Sequence, residues 1–429
     1  MSDDVLFKLD KCEGQLRWQA LELPLEFAFF CKADGRLVFA PLPVPVSKET
    51  FFIHRMYSQG GRTQTRFSVH GVSEEGIQIR TDYAYLTACR TRSGENGAFL
   101  ELEVSSNLTD LTWPEAEGFK PGKVRLDYYI PELACLGRVQ READFGVITV
   151  GAGGMSVDLP DQTKADPETI DSRIRLILDV LSLAEGRFMK WSIRRESSGD
   201  QVRAMRFLGR KQSTKPQFGV FSHLNLDPVV SLAVERYTRE LCETTGTDLA
   251  IEWLLMNPKY SELRYLTGMT ALEHLVHVFS QKNPQGGLFP KAIFKKELRP
   301  RLSSALQDAH SAMEDPSTFH AQFYITSVRL GDLNRPPLRR NLEAMLHHYS
   351  VPLDGIAEFI PAMVGLRNDI VHIGHQPEDS GLDFLNAVLR ELVVRTILTL
   401  IKWEGQYQSF LNGPEWRHFP PLAEDQDAS

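Results

Sequence analysis

The chain has 429 residues, 42% apolar and 24% charged, an ordinary globular composition long enough for two or three domains. Its formal net charge of −8 excludes a globally basic nucleic-acid binder, so any such site must be a local basic patch on an acidic protein. No apolar run approaches the roughly 18 residues that would cross a membrane, so a membrane partner is not expected.

The N-terminus, "MSDDVLFKLDK", carries acids where a secretory signal needs base, and a cytoplasmic protein is expected. Five cysteines (Cys12, Cys31, Cys89, Cys135 and Cys242) are odd in number, widely spaced and without a C-x-x-C. They read as buried thiols in a reducing compartment rather than a disulfide framework or a zinc ribbon.

Residues 1–160 read as a β-rich domain, sandwich or barrel-like. "RLVFAPLPVPV", "TRFSVHGV", "GIQIRTDYAYLTACR", "AFLELEVSS", "KVRLDYYI" and "FGVITVGAGG" are short, β-branched and aromatic, and are divided by Gly, Pro and Asn. Alternation puts Ile77, Ile79 and Tyr83 on one side, with Gln78, Arg80 and Asp82 on the other. "GAGGM" at 151–155 lacks the Lys-Ser/Thr of a phosphate loop and is not followed by a helix, so it reads as a turn.

Residues 161–227 read as a mixed, basic connector. It opens with an amphipathic helix in "ADPETIDSRIRLILDVLSLAEG" and continues in strand-like pieces. From Arg187 to Lys215 nine Lys or Arg face two acids. This is either a solvated surface or a phosphate-tracking groove in which Arg194, Arg195, Arg206 and Arg210 would bind RNA.

From residue 228 to 412 the period is helical, and an all-α bundle is expected, followed by a flexible tail at 413–429. "DPVVSLAVERYTRELC" opens it with Asp227 as N-cap and Pro228 in the first turn. In "PLDGIAEFIPAMVGLRNDIVHI", Phe359, Met363, Leu366, Ile370 and Ile373 make one apolar stripe. The other side carries Val364, Arg367, Asn368, Val371 and His372, a mixture suited to another subunit or a substrate. Asn368 and His372 are neighbours at i,i+4, whereas Arg367 and His372 lie about 140° apart on an ideal helix. A two-fold axis through Val364 and Val371 would bring two Arg–Asn–His sets into one cleft.

"LRNDIVH" resembles the R-x(4-6)-H motif of HEPN domains (higher eukaryotes and prokaryotes nucleotide-binding), with Asn directly after the Arg. The resemblance covers roughly residues 228–412. The layout of a β-rich domain, a connector and a helical bundle resembles the ApeA-like anti-phage defence proteins. It implies a homodimeric, metal-independent endoribonuclease that needs no cofactor and acts in abortive infection. Its substrate would be RNA, with tRNA one candidate, and a phage-derived activator is a further implied partner. Cleavage would proceed by 2′-hydroxyl attack, leaving 2′,3′-cyclic phosphate and 5′-hydroxyl ends. His372 would move the proton, Arg367 would hold the phosphate charge, and Asn368 would orient one or the other. The alternative is a non-catalytic HEPN module for dimerisation or for nucleotide or RNA binding.

His274 and His277, like His372 and His375, have the spacing of a metal half-site, but no carboxylate or Cys is placed to complete either set. Glu273, on the flank of its helix's apolar stripe, is either a polar partner for the Arg–Asn–His site or, more plainly, a solvated flank.

Overall fold

The computed structural model describes residues 5–421 except 19–20, 33–34, 42–43, 48–65, 95–96, 116–122, 135–136, 161–165, 210–218, 223–225, 257, 284–288, 313–328, 335 and 374–380. The chain divides into two compact units, Met1–Glu235 and Arg236–Ser429.

The first unit is built on one large antiparallel sheet. Its strands are β1 (Val5–Trp18), β2 (Leu21–Lys32), β3 (Leu37–Pro41), β4 (Val44–Pro45), β5 (Phe67–Ser73), β6 (Gln78–Gly94), β7 (Gly97–Ser106) and β8 (Leu108–Thr112). They continue as β9 (Val124–Tyr129), β10 (Val139–Ala143), β11 (Gly146–Gly151), β12 (Gly154–Asp158), β13 (Ile193–Ser198) and β14 (Gln201–Leu208). Because β6 pairs with both β5 and β7, the pairings β6–β5–β1–β2–β3–β7 close into a ring. β4 pairs with β7 outside the ring, and the remaining strands run outward from β6 in the order β8–β14–β13–β9–β12–β11–β10. The inward residues of the ring, among them Leu16, Phe29, Phe39, Val69 and Val104, form one apolar core that also takes in Phe207 of β14. Cys12, Cys31 and Cys89 belong to that core, and Cys242 is buried in the second unit. Burial pushes the Cys12 thiol up to about 11, so it stays a protonated, apolar filler.

The expected alternation in β6 holds through Ile77, Ile79 and Thr81 and then fails. Tyr83 is 45% exposed and Ala84 is buried in its place. The register with β5 moves from Val69↔Thr81 to Phe67↔Ala84, so β6 holds an extra residue there. Such a bulge flips every later side chain to the opposite face.

Residues 161–227 do not form a separate connector. α1 (Pro167–Glu185) starts at the cap Asp166, with Pro167 in its first turn, and buries Ile170, Ile174, Ile177 and Leu181. β13 and β14 then enter the sheet between β9 and β8. The helix expected from Asp227 is broken in two. α2 (Asp227–Glu235) packs on α1 and β10 within the first unit, held by Arg141, which donates to Ser231 Oγ and pairs with Asp227. Thr238 then caps α3 (Arg239–Thr245), accepting from the Leu241 amide, and the second unit has begun.

That unit contains α3, α4 (Thr247–Leu255), α5 (Ser261–Lys282), α6 (Arg299–Ser311), α7 (Leu338–Tyr349), α8 (Ile360–Ile373) and α9 (Leu382–Leu400). α5 is the hub, in contact with α3, α4, α7, α8 and α9. The expectation of a purely helical region with a loose tail is corrected at the end of the chain. Gly405–Ser409 (β15) and Glu415–Phe419 (β16) form a hairpin. The reason is a buried polar knot. Glu391 of α9, fully buried, accepts from Arg395 at 2.9 Å and from Tyr407 of β15 at 2.7 Å. Arg395 also donates to the Asp354 carbonyl at 3.0 Å, which fixes the chain just before α8. Residues 422–429 lie outside the described set.

Candidate functional site

α8 presents two faces, as its sequence pattern requires. Ile360, Met363, Leu366 and Ile370 are buried at helical spacing. Phe359 lies just before the helix, in a 3-10 turn, half-buried with its ring 4.8 Å from that of Phe384. Tyr265 of α5 donates its hydroxyl to the Met363 carbonyl, which fastens the middle of α8 to the hub.

The predicted site begins at the edge of the buried face, with Arg367 half-buried and Asn368 exposed. Arg367 and Asn368 come together, with Arg367 Nη1 donating to Asn368 Oδ1 at 3.2 Å. A third residue, which the sequence left between a polar partner for this site and a solvated flank, joins them. Glu273 of α5 accepts from Arg367 Nε at 2.8 Å and from Nη2 at 3.5 Å. This is a two-armed pair between side chains 30% and 32% exposed, neither sunk in the core nor lost in solvent. A guanidinium has five N–H groups, and three are used here, so two remain for an anion. The helix backbone continues through Val371 and His372 to Ile373. The side chains of His372 and Ile373, and His375 itself, lie outside the described residues. Val364 is half-buried and Val371 is 50% exposed, and Ala362 and Gly365, on other sides of the helix, are exposed.

α5 contributes further titratable groups near Glu273. Burial lowers the pKa of the His274 imidazole, the nearby His277 lowers it further, and Asp248 of α4 opposes them. His277 is exposed and lies 2.9 Å from the Gln281 amide nitrogen. Among the described residues no cluster of His, Cys, Asp and Glu could hold a metal ion. Among the described residues no helix is long and apolar enough to cross a membrane.

The arginines expected to track phosphate are a different matter. Arg194 is buried at 6% exposure and pairs with Asp171 of α1 at 2.7 Å, so it cannot reach RNA. Arg206 pairs with Asp110 of β8 at 2.6 Å, with Glu168 and Asp171 of α1 close by. Arg195 pairs with Asp127 of β9 at 2.9 Å and keeps an exposed side chain. Arg210 lies outside the described residues. The local excess of base is answered by acids from β8 and β9, adjacent in the sheet, and from α1, which packs on it. A basic stretch that composition hid sits instead in the second unit. Lys291, Lys295, Lys296, Arg299 and Arg301 are all exposed on the helical run leading into α6, and only Glu297 opposes them within it. Five bases against one acid within eleven residues was the available signal.

No protein-family model, no curated protein and no solved structure matches this chain.

Proposed function

We propose that the chain is a metal-independent endoribonuclease of the HEPN type, with Arg367, Asn368 and His372 as its reacting face. The observation that carries this reading is the Glu273–Arg367–Asn368 chain of hydrogen bonds at the half-exposed edge where α8 meets α5. A merely solvated arginine needs no two-armed carboxylate to hold its plane. Here the plane is held while two N–H groups remain for a phosphate oxygen.

In the proposed reaction the RNA 2′-oxygen attacks the adjacent phosphorus and the 5′-oxygen leaves. Arg367 neutralises the charge that grows on the non-bridging oxygens. His372, whose ordinary pKa is near 6.5, moves the proton. A homodimer formed through α8 supplies two copies of His372, which can divide the roles of base and acid. Exposed Val371, with Val364 seven residues earlier on the same side of α8, supports such a contact. The implied setting is abortive defence against phage, with the β-rich unit as sensor.

The second reading, a non-catalytic HEPN binding or dimerisation module, is favoured by one fact. Glu273 offsets much of the Arg367 charge. The test is cleavage of total RNA in EDTA by the purified protein. Wild type is expected to leave 2′,3′-cyclic phosphate ends, and Arg367→Ala and His372→Ala are each expected to abolish cleavage. The Arg367–Glu273 pair is half-exposed, so Arg367→Ala should cost no more than about 1 kcal/mol of stability. Full cleavage by either variant would remove the proposed site.

A further inference from the structure

The first unit has a second concave surface, unrelated to α8. It is a groove of about 780 Å³ over β11, β12, β9 and β13. Strand alternation shows which side of the sheet it occupies. Tyr128 and Arg194 both point to α1, where each bonds Asp171. Their neighbours Tyr129, Ile193 and Arg195 therefore point the other way, into the groove that they line.

The pairing register orders its floor into two rows. Thr149, Ser156, Asp127 and Arg195 are successive cross-strand partners. Two positions along, Gly151, Gly154, Tyr129 and Ile193 are partners in the same way. One row is polar and charged. The other sets an aromatic ring beside two residues with no side chain. Tyr129 is 39% exposed, unusual for an aromatic in the middle of a sheet. A Cβ added at Gly151 would have no atom within 4 Å, so the space above that strand is open.

Charge points the same way. Arg125, Arg138 and Arg195 line the groove against Asp127 as the one lining acid. Arg125 and Arg195 share that carboxylate at 2.8 and 2.9 Å, and Arg125 reaches Asp158 with its other arm at 3.4 Å. Arg138 is exposed and has no ion-pair partner among the described residues. On a chain of net charge −8 this is a locally positive site. Its volume falls within the range of about 300–1,000 Å³ usual for small-molecule sites.

We propose that this groove binds a nucleoside phosphate. The base stacks on Tyr129 over the gap at Gly151, and the phosphate meets Arg138 and Arg195. An aromatic ring and an anion a few ångströms apart in one ligand match the two rows, and neither half alone accounts for both. The ligand could be a free nucleotide or one nucleotide unit of an RNA, and the two sources are separable.

The test is calorimetric titration of the full chain with ATP, GTP, UTP, adenosine, inorganic triphosphate and a short 5′-phosphorylated oligoadenylate, the last in the His372→Ala background so that it is not cut. At least one nucleotide should bind more than tenfold tighter than its ring or phosphate part alone. Gly151→Val puts a β-branched side chain into open space on a strand, so it should fill the groove without disturbing the fold. Gly151→Val, Arg138→Glu and Tyr129→Ala should each weaken binding at least tenfold at an unchanged melting temperature. An oligoadenylate that binds tighter than ATP and loses affinity in the same variants identifies RNA as the source, and the reverse order identifies a free nucleotide. Absence of binding by every nucleotide and the oligoadenylate, triphosphate binding as tightly as ATP, or nucleotide affinity untouched by Gly151→Val would each overturn the assignment. None of these outcomes depends on whether α8 cleaves RNA.

Discussion

At the scale of single residues, Glu273 decides how Arg367 can act. Its carboxylate holds the guanidinium plane and at the same time lowers the positive potential a phosphate would feel. The two effects have opposite signs, so one substitution separates them. Glu273→Gln keeps the shape and removes the charge. Phosphate binding should tighten or stay level, lowering KM or leaving it unchanged. A looser guanidinium should cost about tenfold or more in kcat, because small misplacements near the reacting atoms are expensive. Steady-state kinetics on a defined RNA would show this split, and unchanged kcat and KM would reduce Glu273 to a structural ion pair. The Arg–Asn–His set is legible in sequence because its members share one helix. Glu273 lies 94 residues away, and only packing of α5 on α8 brings it to Arg367.

At the scale of elements, α5 and α8 each carry a consequence, the first through His274 of α5, whose ring lies beside Gly246. The first is a dependence on pH. The folded-state pKa of His274 is depressed, chiefly by burial and also by His277. Its contribution to stability is present above the ordinary unfolded value near 6.5 and is lost as pH falls through the lower folded value. The melting temperature of wild type should therefore fall between pH 7.5 and 5.5, and less steeply for His274→Gln; parallel curves would show that His274 is not the group responsible. The second concerns α8 as a dimer contact. Val364 is half-buried beside exposed Gly365, on the face that bears Arg367. Val364→Asp should split the proposed dimer and stop cleavage with every reacting residue intact. Sedimentation is the check, and a fully active monomer would refute the contact. The boundaries of α8 depend on distant chain as well. Glu391 and Arg395 of α9 tie β15 and the Asp354 carbonyl together, so the terminal hairpin helps set where α8 begins.

At the scale of the whole molecule, charge must be counted in space. Arg194 is the plainest case. It stands in the most basic stretch of the chain, yet it is buried against Asp171. Arg194→Glu should therefore destabilise the first unit by about 3–5 kcal/mol, the cost of breaking a buried pair, rather than act through RNA. RNA affinity should respond instead to the exposed run in the second unit. Charge reversal of Lys295, Lys296 and Arg299 should weaken binding and flatten its salt dependence by roughly one unit of slope for each phosphate that is no longer neutralised. An unchanged slope would mean that this run does not touch RNA.

The sequence by itself determined the change from a period of two to a helical period, and with it an antiparallel sheet followed by a mostly helical region. It also determined the two faces of α8, because side-chain periodicity within one element is a local property. Tertiary structure alone decided three other things. β13 and β14 complete the first sheet instead of bridging two domains, since strand pairing depends on partners far away in the chain. The division of the chain falls after Glu235, because α2 finds α1 and β10 before the bundle begins. The arginines of the supposed connector are answered by acids, because a sheet brings side chains from separate strands within about 5 Å of one another, and no count along the chain registers that distance.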